Sequence, residues 1–116
     1  MAGLLVLKPG TDWTASGGLF DWTLEFLIDR LSAPEAVAYL REILDNNLGS
    51  FWLTELPPDA RGQAVAQLRD HLVEAANHEL PDGEQKAAVL KHLRELAEMA
   101  GRVSGELAEW PKAADC

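Results

Sequence analysis

Residues 3–18, GLLVLKPGTDWTASGG, precede the first helical pattern of this chain, and the fold class turns on how they are read. Leu4 to Leu7 are unbroken apolar residues, which suits a short extended segment over residues 3–7. Pro9-Gly10 then stops it with turn chemistry. From there to Gly18 the residues are mostly turn formers around one large apolar side chain, Trp13. On this reading residues 1–17 are an irregular or extended arm. The fold class is then set by residues 18 onward.

Those residues carry helical patterns. Residues 17–31, GGLFDWTLEFLIDRL, hold a helix over about 18–31 with apolar residues on two sides. At 100° per residue, Phe20, Leu27, Ile28 and Leu31 lie within about 60° of Leu24, one ordinary buried stripe. Leu19, Trp22 and Phe26 make a second stripe on the opposite side. A second helix, 33–47, opens with Ser32 as N-cap, Pro34 in the first turn and Glu35 three residues on, a capping-box pattern. Ala36, Val37, Leu40, Ile43 and Leu44 form its inner face, and DNNLGS (45–50) ends it.

FWLTELPPD (51–59) separates the two helical pairs. Its aromatic start fits either a brief strand or a short helical turn; if extended, it can pair with LLVL into a two-stranded ribbon. A third helix spans 59–80, with Val65, Leu68, Leu72, Ala75 and Ala76 as its stripe. PDG (81–83) turns into a fourth over 84–108, where Val89, Leu90, Leu93, Leu96, Ala97, Ala100 and Leu107 face one way. Two long amphipathic helices joined by a three-residue turn form an antiparallel hairpin. The expectation is therefore an all-α fold, a four-helix bundle or orthogonal helical array. The 116 residues read as one domain: an arm (1–17), a helical body (18–110) and a frayed tail (111–116).

Composition bounds the function. The chain is 47% hydrophobic and 25% charged, as in ordinary globular proteins, with a formal net charge of -9. Three basic residues face eight acidic ones up to Pro58, and seven face eleven after it, so the acidity is spread and there is no basic arm. Nucleic acid is disfavoured as a partner, since it demands a concentrated positive surface. An acidic field instead favours basic partners and repels anionic membranes. The only cysteine, Cys116, is the last residue, so no internal disulfide forms. No run approaches the roughly 20 apolar residues of a membrane span. A soluble, cytoplasmic protein is expected.

Catalytic chemistry finds little support. There is no glycine-rich phosphate loop, nucleophile elbow or CxxC pair. His71, Glu74 and His78 at i, i+3 and i+7 are the strongest metal candidates, but they flank the third helix's buried stripe. The two histidines are also about 10 Å apart along the axis. Boundary histidines are the plainer reading, so neither a metal nor a cofactor is expected, nor an enzyme. The tryptophans are more informative: Trp13, Trp22, Trp52 and Trp110 are four in 116 residues. Trp13, Phe51 and Trp52 are expected to fold back over Leu19, Trp22 and Phe26. Whatever that cluster leaves exposed would serve a second copy or a partner, because tryptophan is enriched at interface hot spots. The leading expectation is a small acidic module that binds another, basic protein. In composition and architecture it is analogous to acidic single-domain inhibitors such as immunity proteins. The alternative is a binder of a small molecule or metal, with a pocket between the aromatic arm and the bundle.

Overall fold

The computed structural model describes residues 2–106, so the tail (111–116), Trp110, Leu107 and Cys116 lie outside the described residues. It corrects the fold class. The chain is not all-α: a three-stranded mixed sheet accompanies the helices, in the order β2-β1-β3. The strands are β1 (Ala2–Lys8), β2 (Thr11–Ser16) and β3 (Ser50–Trp52), and the helices are α1 (Gly17–Ile28), α2 (Pro34–Asp45), α3 (Pro58–Asp70), α4 (Leu72–Glu79) and α5 (Lys86–Glu106). By internal contacts the chain divides into two compact units, Met1–Ala64 and Val65–Cys116.

The expected arm is a β-hairpin. Pro9 and Gly10 form its two-residue turn, with Gly10 at φ 87°, a conformation that glycine adopts without penalty. The register pairs Leu4 with Thr14, Leu5 with Trp13 and Val6 with Asp12, and shifts at a bulge between Val6 and Lys8. β2 alternates strictly about Trp13, which is buried while Asp12 and Thr14 are exposed. That is the period-two pattern of a half-buried strand, assembled from residues that also favour turns. The segment after α2 proves to be both of its two readings in succession. Ser50–Trp52 is a strand, and Leu53–Glu55 a single 3-10 turn. β3 pairs with β1 in parallel, Leu5 opposite Phe51 and Val6 opposite Trp52.

Trp13, Leu5 and Phe51 therefore form one row across the inner face of the sheet, and all three are buried. α1 lies on that face. The ring of Phe20 occupies the space that a Cβ on Gly3 would fill, so a side chain at position 3 would displace it. Leu24 and Leu27 of the same stripe are fully buried, as are Ala36, Leu40 and Ile43 of α2. Burying such a side chain contributes about 1.5–3 kcal/mol. α1 is capped by Ser16, whose Oγ accepts from the Leu19 N–H.

Two local expectations fail for identifiable reasons. Ser32 does not cap α2; the N-cap is Ala33, without a side-chain bond. Ser32 instead exchanges two hydrogen bonds with Gln63, its N–H donating to Oε1 (3.1 Å) and its Oγ accepting from Nε2 (2.9 Å). The expected helix over 59–80 is broken at His71, whose φ of -126° leaves the helical range, and continues as α4. At the end of α2, Asn47 takes the left-handed conformation (φ 51°) and the Leu48 N–H donates to the Ile43 carbonyl.

In the second unit, Leu72, Ala75 and Ala76 of α4 and Leu93, Leu96, Ala100 and Val103 of α5 are buried. α5 packs against α4. Arg69 Nη1 donates to Ser104 Oγ (2.6 Å), while Lys86 Nζ donates to the Asn77 carbonyl (2.8 Å) and Asp82 (2.9 Å). Among the described residues no helix is long and apolar enough to cross a membrane.

Candidate functional site

The sheet has an outer face as well. Alternation along β1 sends Leu4 and Val6 away from α1, and the rows across the strands are Thr14–Leu4–Ser50 and Asp12–Val6–Trp52. Val6 is buried, while Asp12, Thr14 and Trp52 are exposed. Trp52 is 43% exposed and Leu48, on the turn leading into β3, is 57% exposed. They are the exposed large hydrophobic side chains among the described residues. Isolated apolar residues on a surface are ordinary. A bare tryptophan fixed in a strand at a sheet edge is less so.

Trp52 is held from both sides. Its strand pairs with β1 on one side. On the other, the Trp52 backbone hydrogen-bonds to the Tyr39 hydroxyl from α2, and the Tyr39 ring lies tilted against buried Phe51 at 5.9 Å. Burial pushes the Tyr39 phenol above its usual value. The bond from Trp52 opposes that rise, and the negative charges of Glu55 and Glu42 add to it. Both carboxylates thus act on the Tyr39 hydroxyl beside β3. Glu42 comes from one turn further along α2 and Glu55 from the 3-10 turn after Trp52. Arg61 fastens that turn, donating from Nη2 to the carbonyls of Leu56 (3.1 Å) and Thr54 (3.3 Å).

The aromatic residues singled out by sequence do not gather as expected. Trp13 and Phe51 belong to the buried inner row, whereas Trp52 is on the outer face, so Trp13 and Trp52 cannot line one pocket with Trp22 and Phe26. Gly3 of β1 rests on Phe20, which belongs to the other stripe of α1. Phe26 has neighbours from its own helix and from the turn after it. Trp22 stacks on it at 5.8 Å and the Arg30 guanidinium sits 4.1 Å from its ring centroid, Nη1 donating to the Phe26 carbonyl. Phe26 is buried, and Leu19 and Trp22 are half-buried. His71, Glu74 and His78 are all exposed, and among the described residues no group of three acidic, histidine or cysteine side chains is placed to hold a metal ion. Tyr39, Glu42, Glu55 and Leu48 carry no signal in the sequence that marks them as site residues. Their relation to Trp52 exists only once β3 is in the sheet.

Comparison with protein-family models, with curated proteins and with solved structures found no match.

Proposed function

We propose that this chain is a cytoplasmic protein-binding module for a basic partner, of the kind that acidic inhibitors and immunity proteins represent. The observation that carries the reading is Trp52, a large aromatic side chain left 43% exposed on a strand that pairs with β1 and whose Phe51 packs against the Tyr39 ring. Tryptophan on a rigid seat contributes a large buried area to a complex at little entropic cost. The net charge of -9 supplies the complementary field that speeds encounter with a basic protein.

The test begins with the immobilised chain and a native extract. A retained protein is identified, purified and titrated against the chain by calorimetry. The expected result is a basic partner whose binding is lost on Trp52→Ala while the variant's circular dichroism spectrum is unchanged. Binding that is indifferent to Trp52, or a retained protein that shows no binding once purified, would sink the reading.

A further inference from the structure

The turn between α4 and α5 holds a reactive dipeptide. Asp82-Gly83 is the one place in the chain where an aspartate or asparagine precedes glycine. Closing a ring onto a side-chain carboxyl is easiest where the next residue has no Cβ and the backbone can swing into the cyclic geometry. Asp21, Asp29, Asp45, Asp59 and Asp70 lie in helices or cap them, and Asp12 lies in a strand. Asp82 lies in neither. Its side chain is 97% exposed, and a Cβ on Gly83 would meet nothing within 4 Å.

We infer that Asp82 is a site of isoaspartate formation, restrained by Lys86, and that its conversion loosens the start of α5. The Gly83 nitrogen attacks Cγ of the protonated Asp82 carboxyl. A C–N bond forms as the C–OH bond breaks, and one water leaves, taking the amide proton. Water then opens the five-membered imide. Attack at Cγ restores aspartate. Attack at the original main-chain carbonyl instead leaves the chain running through Cβ and Cγ, one carbon longer, with a carboxylate on Cα. The net change is an isomerisation that uses no reactant beyond water.

Lys86 bears on both the reaction and its consequence. Asn77 stands in the last turn of α4, and the residue four positions on, whose N–H would serve its carbonyl, is Pro81, which has none. Lys86 Nζ supplies that donor at 2.8 Å and holds the Asp82 carboxylate at 2.9 Å. The hydrogen bond, and then the charge, keep this carboxyl below the usual carboxylate range, so the protonated form that loses water is scarce. Conversion lengthens the turn and moves the carboxylate onto Cα. Asp82 is thereby taken from the ammonium that joins the last turn of α4 to the first residue of α5.

The test incubates the full-length chain at neutral pH and body temperature, beside a free peptide of residues 78–88. Isoaspartate is counted by labelled methyl transfer from an isoaspartyl carboxyl methyltransferase and located by fragmentation of proteolytic peptides. It should accumulate at residue 82 of the folded chain without change of mass, more slowly than in the peptide. Lys86→Gln should raise the rate severalfold, whereas Lys86→Arg, which keeps the charge, should stay near the parent. Gly83→Ala should lower the rate severalfold. Circular dichroism should be unchanged in all three variants. In the separated isoaspartyl form, amide exchange should quicken severalfold at Lys86 and Val89, whose N–H groups donate to the carbonyls of Gly83 and Gln85. The inference is overturned if residue 82 stays unconverted while the peptide converts, or if the label spreads evenly over the other aspartates. It is also overturned if Lys86→Gln reacts no faster than Lys86→Arg, if Gly83→Ala reacts as fast as the parent, or if exchange at the start of α5 does not change.

Discussion

Gly3→Ala tests the contact between the sheet and α1 more directly than any truncation in the core. The added methyl would fall among Cβ, Cγ and Cδ1 of Phe20, closer than van der Waals contact allows. Phe20 is 2% exposed, so its ring is enclosed by neighbouring groups. Relief therefore requires an off-rotamer ring or a displacement of α1 from β1. Overpacking of this kind costs about 1–3 kcal/mol, while the lower entropy of the unfolded chain returns only about 0.4–1 kcal/mol. A net loss of stability is expected in urea unfolding followed by circular dichroism, with an unchanged slope. Phe20→Ala alone should cost about 3–5 kcal/mol as a core truncation. In that background the ring atoms are gone but the Cβ of residue 20 remains against the added methyl, so Gly3→Ala should cost less than in the parent chain without becoming neutral. The double-mutant cycle would then report the part of the clash that the ring makes. If Gly3→Ala is neutral in the parent chain, or equally costly in both backgrounds, Phe20 does not rest on Gly3 and the sheet is not seated on this side of α1.

Leu93, fully buried on α5, should cost about 2–5 kcal/mol when replaced by alanine, measured by the same unfolding assay. Tyr39 is the only tyrosine, so its ionisation can be followed by phenolate absorbance without interference from another. Because burial raises its folded-state value, the unfolded chain loses the proton first; stability is constant below about pH 10 and falls as pH rises beyond it. Tyr39→Phe should flatten that alkaline decline in the urea midpoint, and at neutral pH should cost about 1 kcal/mol for the lost bond to Trp52.

The helices are legible in the sequence because their patterns are long. Periodicity marks helices over 33–47 and 84–108, and α2 and α5 occupy 34–45 and 86–106. Of the stripes that the 3.6-residue period marks, Ala36, Leu40 and Ile43 of α2 and Leu93, Leu96 and Ala100 of α5 are buried, while Val37, Leu44, Val89, Leu90 and Ala97 are half-buried. The sheet is not legible, and β2 shows why. Its one large apolar residue, Trp13, lies among Thr, Asp and Ser, residues equally at home in a turn, and only pairing with Leu5 separates the two. β3 is three residues long, too short for any period to show. Ser32 satisfies the capping rule in sequence, but a partner 31 residues away in Gln63 outweighs it. The break at His71 has neither proline nor glycine to announce it. For the candidate site, the sequence offers Trp52 as one of several aromatic residues. Its exposure cannot be separated there from the burial of Phe51, because which of two neighbours faces outward depends on register.

The strand order has a consequence for how this protein avoids sticking to itself. LLVL is the most adhesive segment of the chain, four apolar residues without a charge and rich in the residues that stack into fibrils. In the order β2-β1-β3 it occupies the middle of the sheet, its backbone groups shared between neighbours on both sides. The positions that meet solvent edgewise go to a strand studded with Thr, Asp and Ser and to one only three residues long. Short or polar margins are what sheet proteins use to discourage growth by addition of further chains. The returning β3, brief as it is, keeps the hairpin from leaving its greasiest strand open to recruitment.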